Sequence, residues 1–434
     1  MKDGELEYHL NDPQDMPNLD SKWPKLAKRC LLILISIIIL LIISVLLLVF
    51  MYLHEKKLLS EEKDKNKNSN QEQKEETEEE NINGLTIIKN KYYINNTLIN
   101  TFKSEGKNYK NEIGNINNGK DYIKNEKNIY DLYIPLSTLK KKDETKKIII
   151  MIHGGAWVKG SKDTFADFCQ TFSDFGYITA TIDYTLLNQT NLDSNIFRII
   201  DEITAAIQDI KNYLISKYGF HEKKLEMALL GHSAGAHISL LYSYMIKETS
   251  IPLKFVINLC GPVTLEPDKY LEIINQTDPL ESIDSNSIQK AIGEDKLVQI
   301  NNSFINGKFL VEVMNCFLGI NFNNDIDKMV SNNFVIHESQ EYINLLNKVK
   351  YGFPTEYVDS NTLPTLCYYA GLDQAVGVQQ YSELKKKFDE KGNNKISLIY
   401  VKHSDHNFQI DTEYVIGLIF QEIIRYSDLY FTKN

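Results

Sequence analysis

A serine flanked by glycines is the first group in this chain that could do chemistry. Ser233 lies within Gly-His-Ser-Ala-Gly, after an apolar run of strand length (225–230) and before helix-favouring residues (236–245). The pattern predicts a strand, a sharp turn and a helix, and the two glycines leave room where a Cβ would collide. A serine on such a turn stands above the sheet edge as a candidate nucleophile. The alternative interpretation is an ordinary N-cap.

A second glycine motif suggests where negative charge would be stabilised. Residues 148–152 form an uninterrupted apolar stretch, typical of a strand buried on both faces of a parallel sheet, and His-Gly-Gly follows it. Acyl transfer to a serine needs N–H donors aimed at the oxygen that becomes negative in the tetrahedral intermediate. The predicted donors are the amides of Gly154, Gly155 and Ala234.

The elements that must position these residues alternate between strand and helix periodicity, which indicates an α/β fold with a mostly parallel sheet and helices on both faces. An amphipathic helix, with isoleucines recurring at helical spacing between residues 196 and 214, should cover the sheet. The other predicted strands are 85–88, 92–94, 129–135, 177–184, 255–260, 365–370 and 396–401, and the other predicted helices are 163–174, 381–391 and 411–426.

With both motifs in place, the chain resembles the α/β-hydrolase family. Within that family it is similar to carboxylesterases of the hormone-sensitive-lipase type, and to isoprenylcysteine methylesterase-like and feruloyl-esterase-like relatives. The resemblance covers roughly residues 128–426. It implies the α/β-hydrolase fold and a serine, aspartate, histidine order along the chain.

The resemblance also implies an acid and a base. The family places its acid after a strand, which here matches Asp373, and its histidine shortly before an aromatic residue, which matches His406 ahead of Phe408. In that scheme His406 takes the proton of the serine and returns it to the leaving alkoxide, while Asp373 orients the imidazole. His403 and Asp405 are the competing candidates for base and acid.

Several other polar or aromatic residues near these motifs have structural interpretations. His232 and His237 flank the nucleophile and are expected to be packing or pocket residues. Trp157 is expected to pack under the oxyanion loop rather than to hold substrate. Asp183 and Tyr184 are expected to be structural.

Residues 1–82, before the predicted hydrolase domain, consist of a polar segment, an apolar segment and a charged segment. The apolar run, residues 31–53, would span roughly 34 Å as a helix, enough to cross a bilayer. A cleaved signal peptide is the alternative, but the run is long and no small-residue cleavage site follows it. The predicted segments are a disordered polar tail (1–29), a transmembrane helix (30–53), a charged linker (54–82) and an α/β-hydrolase domain (83–434) with a cap insertion (261–363).

The basic residues that flank the apolar run nearly tie, with Lys22, Lys25, Lys28 and Arg29 before it and Lys56, Lys57, Lys63 and Lys65 after it. Lys28 and Arg29 directly precede the apolar run, which favours a cytosolic N-terminal tail and a signal-anchor helix. The protein is therefore expected to be a single-pass membrane protein with a lumenal or extracellular catalytic domain in the secretory pathway. Asn-x-Ser/Thr sequons do not decide the matter, because an asparagine-rich chain contains several by chance.

Charge and cysteine content exclude some classes of partner. The formal net charge is −10 and no basic patch is present, so we expect no nucleic-acid partner. The five cysteines show neither metal-ligand spacing nor a disulfide framework. We expect no metal and no cofactor, and the expected partner is a small-molecule or lipid ester.

Three functions, two enzymatic and one non-catalytic, are compatible with these residues. The favoured one is a membrane-anchored serine carboxylesterase that cleaves a hydrophobic or lipid-like ester through an acyl-enzyme. An amide or formamide hydrolase would use the same three side chains. A non-catalytic hydrolase-fold binding protein is disfavoured, because every expected catalytic position is filled.

Overall fold

In the computed structural model, most of the expected hydrolase domain is described. The described residues are 78–82, 84–93, 127–187, 194–264, 314, 317–319, 326–331, 334–336, 338–373, 375–408 and 412–432. The predicted tail, the predicted transmembrane helix and most of the predicted linker lie outside them, as does the larger part of the predicted insertion.

The described strands form a nine-stranded sheet. Its order is β1-β2-β3-β5-β4-β6-β7-β10-β11, and a separate two-stranded ribbon pairs β8 with β9. The six strands from β5 to β11 run parallel, while β1, β2 and β3 join by antiparallel pairing. The strands are β1 Glu78–Ile82, β2 Leu85–Tyr92, β3 Ile129–Pro135, β4 Lys146–Ile152, β5 Ile178–Ile182, β6 Leu225–His232, β7 Leu253–Leu259, β8 Val330–Ser331, β9 Phe334–Val335, β10 Thr365–Ala370 and β11 Ile396–Val401.

Helices follow most of the parallel strands. The α-helices are α1 Leu136–Leu139, α2 Ala166–Asp174, α3 Ile196–Tyr218, α4 Ala234–Met245, α5 Ile326–Met329, α6 Gln340–Val349, α7 Gln379–Glu390 and α8 Thr412–Tyr430. Short 3-10 turns occupy Lys162–Phe165, Glu222–Lys224, Lys350–Gly352 and Pro354–Tyr357.

Two hydrophobic cores lie on opposite faces of the sheet. In β4, Ile148 and Ile150 belong to the core covered by α3, α4 and α7, whereas Ile149 and Met151 belong to the core covered by α2 and α8. Successive side chains of a strand point to opposite faces, so a strand between two helix layers must be apolar at every position. The uninterrupted apolar runs in the sequence follow from this arrangement.

The α/β-hydrolase architecture with a mostly parallel central sheet is confirmed, with local corrections. Predicted strand 85–88 and the first residue of predicted strand 92–94 belong to one strand, β2, which ends at Tyr92 and has a bulge between Ile88 and Lys91. Within the bulge, Asn90 has a φ of 53° and its amide donates to the side chain of Asp131 on the neighbouring strand β3 instead of to a main-chain carbonyl.

Two further boundaries differ from the predictions. Predicted helix 163–174 opens as the 3-10 turn Lys162–Phe165, and α2 begins only at Ala166. The antiparallel edge strand β1, Glu78–Ile82, lies in the range that composition assigned to the linker, because its residues pair with β2 along five positions despite their acidic character.

Among the described residues, no helix is both long and apolar enough to cross a bilayer. The apolar run 31–53, on which the transmembrane prediction rests, is outside the described range.

Candidate active site

Ser233 lies in the turn between β6 and α4. Its φ and ψ are 55° and −122°, a conformation that residues with a side chain rarely adopt. The turn is held by the amide of Ser233, which donates to the carbonyl of Leu259 at the end of β7, and by its carbonyl, which accepts from the amide of His237. The serine is thus fixed at the carboxyl end of the central strand.

The two glycines that flank this turn are required by close packing. A Cβ on Gly231 would meet the carbonyl oxygen of Gly235 at 2.2 Å, and a Cβ on Gly235 would meet the carbonyl oxygen of Ile152 at 2.0 Å. The backbones of β6, α4 and the end of β4 therefore lie so close together that only glycine fits at positions 231 and 235.

The loop after β4 lies directly against the nucleophile turn. A Cβ on Gly154 would come within 3.0 Å of the Ser233 Cβ, and Gly155 has a φ of 117° that favours glycine. Among the described residues, the amides of Gly154, Gly155 and Ala234 have no hydrogen-bond partner. Unpaired amides beside a serine hydroxyl are the arrangement that an oxyanion requires.

Side chains from β4 and β5 fix this glycine loop. The Nδ1 of His153 lies 2.8 Å from the carbonyl oxygen of Gly154, to which it donates, and the ring of Tyr184 stacks on that of His153 at 4.3 Å. The Tyr184 hydroxyl donates to the carbonyl of His153 at 3.0 Å, and Asp183 Oδ1 lies 3.4 Å from His153 Nε2. The predicted structural role of Asp183 and Tyr184 agrees with these contacts.

Asp373 follows β10 and is completely buried as a side chain. Its Oδ1 accepts hydrogen bonds from the amides of Ala375 and Val376, both at 2.8 Å. Its Oδ2 lies 2.6 Å from Nδ1 of His406. Each carboxylate oxygen therefore has its own partners, which fixes the orientation of the group.

The loops that carry Asp373 and His406 are joined to each other. The amide of Leu372 donates to the carbonyl of Ser404 at 2.9 Å, and a Cβ on Gly371 would meet the carbonyl oxygen of Lys402 at 2.1 Å. Neighbouring parallel strands β10 and β11 end at the same edge, so their loops meet there.

His406 connects the other two side chains. Since a carboxylate only accepts, Nδ1 carries the proton shared with Asp373, and Nε2 is left to accept from the Ser233 hydroxyl at 2.9 Å. The nitrogen facing Ser233 belongs to His406 and not to His403, and the carboxylate facing that ring belongs to Asp373 and not to Asp405. The arrangement can remove a proton from the serine hydroxyl.

Cys260 is a member of this site that the motifs did not single out. It follows β7 with a φ of 50°, and its Sγ lies within 4.8 Å of ligand atoms of both Asp373 and His406. Burial and the neighbouring Asp373 raise the pKa of the thiol well above its usual range, so it stays protonated. These three residues are the one group of potential metal ligands in the described part of the chain, but Asp373 and His406 are already bonded to each other.

An aromatic cluster lies beside the nucleophile. Trp157 contacts the ring of His237 at 5.2 Å and that of Phe317 at 5.4 Å between centroids. His237 Nε2 donates to the carbonyl of Gly352 at 2.9 Å, and burial lowers the pKa of His237 to about 4. Phe317 and Gly352 belong to the predicted insertion, so its described part packs on the loop after β4 and on α4.

The chain matches one known protein family over most of its described fold. The family model described as BD-FAE matches residues 130–388, more than half of the chain. The chain belongs to the BD-FAE family. It is accordingly a carboxylesterase-like hydrolase of α/β-hydrolase fold.

Individual proteins match over shorter stretches. The "Probable isoprenylcysteine alpha-carbonyl methylesterase ICMEL1" of Arabidopsis thaliana is 30% identical over 125 residues, which is 28% of this chain and 24% of that protein. The protein of the same name from Oryza sativa subsp. japonica is 29% identical over 130 residues, 30% of this chain and 28% of that protein. This chain thus spans about a quarter of these relatives.

Among solved structures, the chain is similar to esterase B from Lactobacillus Rhamnosis. It is 13% identical, the TM-score is 0.48, and the match covers 87% of this chain and 94% of that one.

Proposed function

We propose that this BD-FAE family member is a serine carboxylesterase that works through an acyl-enzyme formed on Ser233. The observation that carries the proposal is the continuous hydrogen-bonded path from the Ser233 hydroxyl through His406 to Asp373, at 2.9 Å and 2.6 Å. The unpaired amides of Gly154 and Gly155 in the loop after β4, and of Ala234 after the serine, complete the set of groups that acyl transfer needs.

In the acylation step, Ser233 Oγ attacks the ester carbonyl carbon while Nε2 of His406 takes the hydroxyl proton. The carbonyl oxygen becomes negative and is bound by the amides of Gly154, Gly155 and Ala234. Asp373 stabilises the imidazolium, because its Oδ2 already accepts from Nδ1. When the intermediate collapses, His406 returns the proton to the leaving alkoxide and the alcohol departs.

Deacylation repeats these steps with water. His406 removes a proton from a water molecule, whose oxygen attacks the acyl carbon, and the same amides bind the second oxyanion. Collapse expels Ser233 Oγ, which regains its proton from His406, and the carboxylic acid leaves. The net reaction is ester plus water to acid plus alcohol.

For the substrate we propose a hydrophobic or lipid-borne ester. The buried aromatic cluster of Trp157, His237 and Phe317 supports this, because it packs the described part of the insertion against the two elements that adjoin the nucleophile turn, the loop after β4 and helix α4. The plant relatives add support, since their names describe a methylesterase for isoprenylcysteine, an amino acid that bears an isoprenyl chain. The insertion, residues 261–363, would then act as a cap that shapes the pocket.

A membrane anchor would bring such substrates within reach. Residues 30–53 are proposed to cross the membrane, with the catalytic domain on the lumenal or extracellular side. Because β1 takes up residues 78–82, the predicted linker is left with about 24 residues, and a flexible chain of that length has a root-mean-square span of about 27 Å, comparable to the radius of the domain it carries. The support for this part is the length and apolar character of residues 31–53.

The proposed nucleophile can be tested by labelling the full-length protein with a fluorescent fluorophosphonate. Wild type should be labelled at Ser233 and Ser233→Ala should not, while Ser239→Ala serves as the matched control because it alters a buried serine elsewhere on α4. Equal labelling of wild type and Ser233→Ala would contradict the assignment.

The proposed substrate class can be tested with p-nitrophenyl esters of increasing acyl length. Phe317→Ala and a variant shortened around residues 301–333 should both shift the preferred chain length, because the first loosens the packing of the insertion on Trp157 and His237 and the second removes part of the proposed cap. An unchanged length profile in folded, active variants would remove the basis for the proposed cap.

A further inference from the structure

His232, the residue before the nucleophile, contacts the loop that carries the base. Its Nε2 lies 2.8 Å from the main-chain oxygen of His406, and the two rings are 4.9 Å apart between centroids. A carbonyl oxygen only accepts, so Nε2 carries the proton and donates it. A side chain from the nucleophile turn therefore binds the backbone of the base itself.

The opposite edge of the same ring faces the glycine loop. A Cβ built on Gly154 would come within 3.1 Å of Nδ1 of His232 and within 2.8 Å of its main-chain oxygen. His232 thus fills the space between the loop after β4 and the loop after β11, and it is adjacent in sequence to Ser233. One imidazole contacts both loops that must face the nucleophile.

Other residues of the loop after β11, which carries His406, are held by their own hydrogen bonds and packing. Ser404 donates its amide to the carbonyl of Val401, the amide of Phe408 donates to the carbonyl of Asp405, and the Phe408 side chain is buried in the core under α8. Among the described residues, His232 supplies the hydrogen bond to the main chain of His406, whose ring is held separately by Asp373. Burial lowers the pKa of His232, which keeps the ring neutral and adds no positive charge beside the imidazolium of His406.

We propose that His232 is a positioning residue for catalysis: its hydrogen bond to the main-chain oxygen of His406 sets the distance between the imidazole Nε2 and Ser233 Oγ. This inference rests on the proposed function of Ser233, His406 and Asp373. A displacement of about 1 Å at a reacting group costs about 100-fold in rate. Loss of this hydrogen bond should therefore lower turnover far more than it lowers substrate binding.

Three substitutions of His232 distinguish an effect of its hydrogen bond to His406 from an effect of its packing. His232→Leu keeps the bulk and removes the donor. His232→Gln keeps a donor, because the glutamine amide nitrogen reaches approximately the position of Nε2. His232→Asn also keeps a polar amide, but its nitrogen reaches only the position of Nδ1 and leaves the carbonyl of His406 without its partner.

The experiment measures kcat and KM for p-nitrophenyl butyrate, the rate of fluorophosphonate labelling and the melting temperature, all on the full chain. We expect kcat and the labelling rate of His232→Leu and His232→Asn to fall about 10- to 100-fold with KM within about twofold. His232→Gln should recover to within about fivefold of wild type. His403→Leu, on the same loop, is the matched control and should retain wild-type rates.

The outcomes are distinguishable. If His232→Gln and His232→Asn have equal rates, or if His232→Leu works as fast as wild type, the positioning role is wrong although the esterase remains. If His232→Leu fails to fold, the comparison of Gln with Asn still decides. If wild type neither labels at Ser233 nor hydrolyses any ester, the proposed function itself fails.

Discussion

Asp373→Asn tests the geometry of the acid most sharply. The Oδ1 of Asp373 accepts from two backbone amides and Oδ2 accepts from Nδ1 of His406. An asparagine has one accepting oxygen, and the two amides of Ala375 and Val376 will hold that oxygen in place. Its NH2 group must then face His406.

Asp373→Asn would therefore change which nitrogen of His406 carries the proton. An NH2 group donates, so Nδ1 must become the acceptor and the proton must move to Nε2, where it blocks proton transfer from Ser233. Loss of the correct tautomer in a serine triad lowers kcat by about 10⁴, which corresponds to about 5.5 kcal/mol of transition-state stabilisation. The two amide bonds survive, so the melting temperature should change little.

The assay is steady-state hydrolysis of p-nitrophenyl butyrate, combined with fluorophosphonate titration of active serines and a thermal melt. Asp405→Asn is the matched control, because Asp405 lies one residue from the base and is the competing acid. A rate for Asp373→Asn within tenfold of wild type would refute the tautomer argument. A large loss in Asp405→Asn alone would transfer the role to that residue.

The remaining predictions concern the base, the turn and the dependence of stability on pH. His406→Ala should lower kcat/KM for an activated ester by several orders of magnitude, whereas His403→Ala should stay active. The reverse result in the same assay would assign the base to His403. Gly235→Ala should lower the free energy of unfolding by about 3 kcal/mol, measured by urea denaturation, because its Cβ would collide with the carbonyl of Ile152 at 2.0 Å. Burial lowers the pKa of His237 to about 4 in the folded chain from 6.5. Its contribution to stability is therefore complete above pH 6.5 and is lost as pH falls towards 4, by up to about 3 kcal/mol. In urea melts across that range, His237→Gln should show a shallower decline than wild type, and identical slopes would contradict the assignment.

The strands that carry the site could be predicted from the sequence because each is buried on both faces. β10 and β11 have the predicted bounds, since apolar runs end where glycine or polar residues begin. The bulge in β2 was missed, because it depends on a bond between Asn90 and a side chain of the neighbouring strand.

The contacts between loops could not be predicted in the same way. Cys260 reaches Asp373 because β7 and β10 are neighbours in the sheet although more than 100 residues separate them in the chain. His232 was expected to be a packing or pocket residue, and no local pattern indicates that its ring donates to the backbone of His406. The order of strands in a sheet is not encoded in any one segment, so contacts that depend on it carry no local signal.

The unusual backbone of Ser233 also bears on how this chain can evolve. A residue with a side chain held at a φ of 55° costs about 1 to 3 kcal/mol relative to a relaxed conformation. Ser233→Gly would recover much of that free energy, whereas Ser233→Ala would not. A gene copy released from selection for activity would thus gain thermal stability by a single codon change at the nucleophile. Descendants with glycine at position 233 would be more stable but would have lost the nucleophile. They would tolerate destabilising substitutions elsewhere that the active protein cannot.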